Sequence, residues 1–473
     1  MPGWDDERAL LRAEWVQASD EGRRPDPALL DAIEGLSRGY SPETEEAASK
    51  IWSALSNLPP DPGLRAAEPD DLDAIRALRP AGPRSLGWKP SGSELLERMH
   101  GAWTGRAVGC ALGKPVESPS YGMAVEAGLT VGRSRIRRLL EDQSAWPLRD
   151  YFSGQVPSGL PPLRFPGSTR ERIAYMEPDD DIHYTLLALG VLEETGPGFT
   201  WRDVAWYWTE HLPYSAICTA ETQAILNFWS RSTHMARFRR QEEPGVSAAW
   251  TRSHRNPYRE WIGAQIRSDG WGWACAGRPE LAAEFAYRDA SWTHVRNGIY
   301  GEMMFAAIQA AAFVEDDPRR LVEIGLSEIP AECRLAQWVR RALEWARGSR
   351  DFESALDAME AEETLRRMSP VHTINNAVAC VLALLFSGND LETGVCNAVS
   401  AGIDTDCNGA TVGSVLGAVQ GRAGLGSGMS ARLNDTVRPA VLGFEDCRMR
   451  DLAERQARVW RRIDDWIGNG APA

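Results

Sequence analysis

GAWTGRAVGCALGKPVE (101–117) carries glycine at 101, 105, 109 and 113, one per helical turn. Residues four apart on a helix lie above one another on one face. Each glycine costs about 1 kcal/mol of helix propensity relative to alanine. A run of them is tolerable where the bare face admits another backbone at very short range. A second ladder, NGATVGSVLGAVQG (408–421), repeats the spacing at Gly409, Gly413, Gly417 and Gly421. Small-residue faces also occur in membrane helices, but Arg106, Lys114 and Asn408 beside these ladders argue against a span. The reading is close helix packing in a globular core, forming a rigid platform for whatever lies at the helix ends.

Working outward, helical periodicity dominates from Ser93 onward, in segments such as DIHYTLLALGVLEE, IYGEMMFAAIQAAAFV and INNAVACVLALLF. Alternating β-branched runs and hairpin turns are sparse, so the fold expected is all-α. Residues 93–465 read as one compact, orthogonal multi-helix domain. Residues 1–92 read as a helical extension that ends in a linker or surface strap, LRPAGPRSLGWKPSGS (78–93). Stretches 118–176 and 230–275, rich in Pro, Gly, Trp and Arg, read as long excursions that wall a site.

The chain of 473 residues is 43% hydrophobic and 25% charged, with a formal charge of −14. That acidity argues against nucleic-acid binding, which depends on neutralising phosphates. The longest apolar run, AVACVLALLF (377–386), is too short for a bilayer. The eight cysteines form no CxxC pair. With no signal-like N-terminus, the location expected is cytoplasmic with reduced thiols.

The ends of the ladders carry acid. The first runs out at Glu117. The second is introduced by AGIDTDC (401–407), with Asp404 and Asp406 in a turn where two side chains can converge on one cation. A third acidic stretch, EPDDDIH (177–183), puts Asp179, Asp180 and Asp181 before an apolar helix. Like charges this close raise each other's pKa values unless a cation intervenes. Two acidic turns on an all-α background suit hard divalent ions held by oxygen. An earlier EPDD (68–71) has no partner motif nearby and reads as an ordinary acidic helix start.

At this point the chain resembles the ADP-ribosylglycohydrolases. Their first motif runs roughly G-x-x-x-G-x-x-x-G-D-A-L-G-x-x-x-E, matched by GRAVGCALGKPVE. Their Thr-Asp-Asp-Thr turn resembles PDDDI (178–182), their Gly-Gly-Asp-Thr-Asp-Thr turn resembles AGIDTDC, and their Ser-x-Thr-His resembles SWTH (291–294). The resemblance covers about 93–425, in order.

It implies a binuclear Mg2+ centre, with Mn2+ as an alternative, that binds ribose hydroxyls and activates the water cleaving the bond at the anomeric carbon. The metal ligands it implies are Asp179, Asp180, Asp181, Asp404 and Asp406. Asp180 or Asp404 is the base, and Glu117 acts in catalysis or ribose binding. Gly402, Asn408 and His294 lie on positions near substrate. The substrate implied contains ADP-ribose, linked to protein or to a small molecule.

Three positions depart from the pattern. Cys110 replaces the first motif's Asp, and Cys407 replaces the closing Thr of the second turn. The opening Thr is either Pro178 or, with the turn shifted by one, Asp179; the shift keeps three oxygen ligands. Asn408, Thr405 or a water could compensate at Cys407. The alternatives are a hydrolase of small N-ribosides and a non-catalytic ADP-ribose-binding relative. A Mg2+-dependent terpene synthase is disfavoured because DDxxD fails at His183.

Overall fold

The computed structural model describes residues 3–39, 41–233 and 245–470. Helices make up the architecture, and the described strands form only two short antiparallel pairs, Val125–Glu126 with Leu129–Thr130 and Thr436–Val437 with Cys447–Arg448. The fold is all-α, as expected.

At its centre the two glycine ladders pack against each other, antiparallel. The first helix is Gly92–Gly113 and the second Thr405–Gly424, kinked at Gly421. A Cβ added to Gly101, Gly105 or Gly109 would stand 2.2, 2.1 or 1.9 Å from the carbonyl oxygen of Gly417, Gly413 or Gly409, respectively. No real Cβ tolerates such distances, so each ladder explains the other. The antiparallel sense also has a functional consequence. The C-terminal end of the first helix, leading to Glu117, meets the N-terminal end of the second, where Asp404 and Asp406 lie. At that junction a Cβ on Gly113 would stand 2.2 Å from the Thr405 carbonyl oxygen, and Thr405 Oγ1 donates to the Gly113 carbonyl at 2.8 Å.

Around this pair runs one large apolar core that includes Trp103, Trp271, Trp273 and Trp292. The N-terminal extension builds a smaller core of its own, with Leu11, Ile33, Trp52 and Leu55 packed onto Ala220 and Tyr258 of the main body. The segment expected as a linker or strap is fastened throughout. Leu86 N donates to the Gly277 carbonyl at 2.8 Å, Arg79 and Arg84 both pair with Glu328, and Trp88 packs on Phe313 and Trp460. Of the second expected excursion, residues 234–244 lie outside the described residues.

Among the described residues no helix is long and apolar enough to cross a membrane. The cysteines are all free.

Candidate metal centre

The first acidic turn starts the helix Asp180–Glu194. Asp179 is its N-cap, in an extended backbone conformation, and its Oδ1 accepts from the Asp181 N–H at 3.1 Å. Asp179 Oδ2 accepts from Lys114 Nζ, which also donates to the Pro178 carbonyl at 2.7 Å. Burial pushes the Asp179 carboxyl up, but the Lys114 ammonium outweighs it and leaves the group below the usual carboxylate range.

Asp181 is fully buried and pairs through Oδ1 with Arg106, which also binds the Asp181 and Ile266 carbonyls and shares its charge with Asp269. Asp181 Oδ2 has no partner. Asp180, half-buried, accepts from the Cys218 thiol, and burial together with the Asp179 charge raises it to about 6.

The second turn is built differently. Asp404 stands at the N-cap position of Thr405–Gly424, yet its side chain makes no cap hydrogen bond. Its backbone N–H donates to Asn376 Oδ1 at 3.2 Å, while its Oδ1 is buried without a partner. The turn is possible because Gly402 and Ile403 both adopt positive φ, 74° and 62°. A Cβ on Gly402 would meet Arg133 N at 2.5 Å, so Gly402 is accounted for by backbone packing.

Burial first, then the neighbouring charges, raises the acids of this turn. Asp406 is pushed to about 7, and Asp404 and Glu117 rise well above the carboxylate range.

The two turns, more than 220 residues apart in sequence, meet. Donor atoms of Asp181, Asp406 and Cys407 all lie within 4.8 Å of one another, as do those of Glu117, Asp404 and Asp406, and those of Cys110, Asp179 and Asp181. Six carboxylates face three cations: Lys114, Arg106, which is shared with Asp269, and Arg164 beside Glu117. Two buried carboxylate oxygens without partners in a cluster of excess negative charge fit divalent cations, because unpaired buried charge is otherwise expensive. The all-oxygen group fits Mg2+ or Mn2+.

Some expected residues have other engagements. Asn408 is fully buried, donating to Asn376 Oδ1 at 2.8 Å and accepting from Cys380. It therefore braces the Asp404 turn through Asn376 rather than presenting its amide to a ligand. His294 is fully buried, with Nδ1 bonded to Thr293 at 2.8 Å, and burial holds it neutral. None of its described hydrogen bonds reaches either acidic turn. His183 accepts from Ala440 N at 3.0 Å and is pushed down to about 4 by burial.

Lys114, Arg106, Cys218 and Asn376 are participants that sequence reasoning missed. A lysine three residues before the ladder's terminal glutamate was the available signal for Lys114. Phe165, partly exposed in a left-handed conformation (φ 47°), lies against Lys114 Nζ at 4.3 Å, so part of the 118–176 excursion does stand beside the site.

None of the curated proteins matches the chain. A solved chain described as "ADP-ribosylglycohydrolase-related protein complex" is 20% identical, with a TM-score of 0.47, over 78% of this chain and 99% of that one. The sequence model of the family described as ADP-ribosylglycohydrolase matches residues 91–466, from the start of the first glycine helix to near the end of the last described one. By that match, which takes in both ladders and both acidic turns, the chain belongs to the ADP-ribosylglycohydrolase family.

Proposed function

We propose that this chain is a cytoplasmic hydrolase that cleaves the bond at the ribose anomeric carbon of ADP-ribose conjugates. Family membership supports the coarse reading, a glycohydrolase of ADP-ribose-type substrates. The observation that carries the finer reading is the meeting of the two acidic turns around a shared Asp406. Glu117, Asp404 and Asp406 would hold one divalent cation. Asp181 and Asp406 contribute to a second position. Divalent cations held there would supply the polarisation of a water and of the ribose hydroxyls.

The protein's own groups have distinct tasks. Lys114 and Arg106 fix Asp179 and Asp181, so these two acids orient the site rather than move protons. Asp180 is the half-buried member of its turn and is placed to accept the proton of the attacking water; Asp404, with a free oxygen, is the alternative. The uncompensated negative charge opposes separation of an anionic leaving group but favours the oxocarbenium-like character that develops at the anomeric carbon.

The test is release of ADP-ribose or ribose from ADP-ribosyl-arginine, ADP-ribosyl-serine and simple N-ribosides, each with Mg2+ and with Mn2+. Turnover that stops in EDTA and in Asp404→Asn, with the helical circular dichroism unchanged, is the expected result. Full turnover in EDTA contradicts it. A second reading, an ADP-ribose binder without hydrolysis, draws on Cys407 and on the Lys114-held Asp179. It predicts a thermal shift with ADP-ribose and no product from any conjugate.

A further inference from the structure

The donor groups that share Asp406 differ in chemistry. Glu117, Asp404 and Asp406 offer carboxylate oxygens alone. Asp181, Asp406 and Cys407 offer two carboxylates and a sulfur. The members of this second group are 0, 3 and 7% exposed. Arg106 orients Asp181 through one oxygen and leaves Oδ2 without a donor, which is an expensive state for a buried carboxylate. The Cys407 N–H donates to Asp406 Oδ1 at 3.0 Å, so thiol and carboxylate are held on one short piece of backbone.

Divalent ions sort by donor softness. Mg2+ takes oxygen at about 2.0–2.1 Å and has little affinity for sulfur, whereas Zn2+ holds thiolate at about 2.3 Å together with carboxylate oxygen.

We propose that the centre is asymmetric. The all-oxygen group takes Mg2+ or Mn2+, and the Asp181–Asp406–Cys407 group takes a thiophilic divalent cation of the Zn2+ class, Asp406 belonging to both groups. This rests on the acidic turns being a cation site, but not on hydrolysis. On binding, the Cys407 S–H proton leaves to solvent and the thiolate sulfur becomes the ligand, with no change of oxidation state. Cys110 also lies within reach of Asp179 and Asp181, but there both carboxylates already carry a cation, Lys114 on Asp179 and Arg106 on Asp181, whereas Asp406 makes no ion pair among the described residues. Cys110 is therefore the control.

The experiment uses the full chain, stripped with chelator, returned to Mg2+ buffer and titrated with Cd2+. An ultraviolet sulfur-to-cadmium charge-transfer band should grow and saturate at about one equivalent. One Cd2+ should stay with the chain through gel filtration. Cys407→Ser should lose the band, and Cys110→Ser should keep it. Dependence on Cys407 separates the site from the half-buried Cys218 and Cys447.

No saturable band in the wild type overturns the proposal, as does a band kept in Cys407→Ser or lost in Cys110→Ser. If Cys407→Ser does not fold, the wild-type stoichiometry and Cys110→Ser decide. A band without hydrolysis of any conjugate would sink the functional reading and leave this one standing. Mg2+-dependent hydrolysis without a band would do the reverse.

Discussion

The tetrapeptide EPDD occurs twice, and its two copies sit in opposite electrostatic surroundings. In the first, Glu68 is buried against Arg334 at 2.8 Å, Asp70 accepts from the Arg296 N–H at 2.8 Å, and Asp71 caps the helix Leu72–Leu78. This copy belongs to a seam between the extension and the main body, where Glu14, Glu21, Glu68 and Glu260 meet Arg23, Arg259, Arg296 and Arg334, four against four. In the second, Asp179 alone has a full ammonium partner. Asp180 has a thiol, and Asp181, the next residue, pairs with Arg106 through one oxygen and keeps the other bare. Buried acids balanced by guanidinium groups hold a structure together. Buried acids in excess of their cations are unstable by themselves and wait for a ligand.

The sharpest way to break this contrast is through activity. Asp404→Asn should reduce hydrolysis by about 10²–10⁴-fold, while the melting temperature of the metal-free protein stays level, because burial holds the Asp404 carboxyl protonated there and Asn replaces one neutral polar group with another. A fall in both would place Asp404 among structural acids.

The matching change in the seam is Glu68→Ala. It leaves Arg334 partly uncompensated and should destabilise the fold by about 3–5 kcal/mol, read by denaturant or thermal unfolding. Gly109→Ala sharpens the contrast from the side of the scaffold. Its methyl would press on the Gly409 carbonyl, at a cost of about 1–3 kcal/mol or more. It should also weaken Mn2+ binding by moving Glu117 away from Asp404.

The smallest effect is in pH. Asp180 and Asp406 are raised from 3.8 to about 6 and about 7, by burial first and then by the charge of Asp179. A raised carboxyl keeps its proton in the folded state after the unfolded chain has lost it. The stabilisation is therefore complete below about pH 4 and is lost as pH rises towards 7. Asp179, held low by Lys114, contributes in the opposite sense, being lost on acidification. Metal-free protein should melt progressively lower from pH 4 to 7. The gain in melting temperature on adding Mn2+ should grow over the same range. A flat profile would mean that the acids are compensated in ways the geometry does not show.

Much of this was legible in the residues. Helical periodicity and scarce strand patterns led to an all-α fold, and the four-residue glycine spacing implied backbone contact. The AGIDTDC and EPDDDIH turns named the acids that meet. Spacing within one segment carries no information on which distant segment it faces, so the mutual packing of the two ladders was not readable. Nor was the grip of Lys114 on Asp179, although both residues lay in quoted motifs.

Asn408 shows the same limit from the other side. Its place beside the turn suggested a ligand contact, whereas its amide is occupied by Asn376, a residue on a different helix, Thr373–Leu385. The seam role of residues 1–92 was hidden because the ion pairs that close it onto the main body, such as Glu14 with Arg259 and Glu68 with Arg334, join residues far apart in sequence, and composition cannot report pairing.

The central claim, that the two acidic turns together hold divalent cations, is tested most directly by anomalous diffraction from crystals equilibrated with Mn2+. The account predicts an anomalous peak bounded by Glu117, Asp404 and Asp406, within ligand distance of carboxylate oxygens. At saturating Mn2+, a map with no peak there would contradict it.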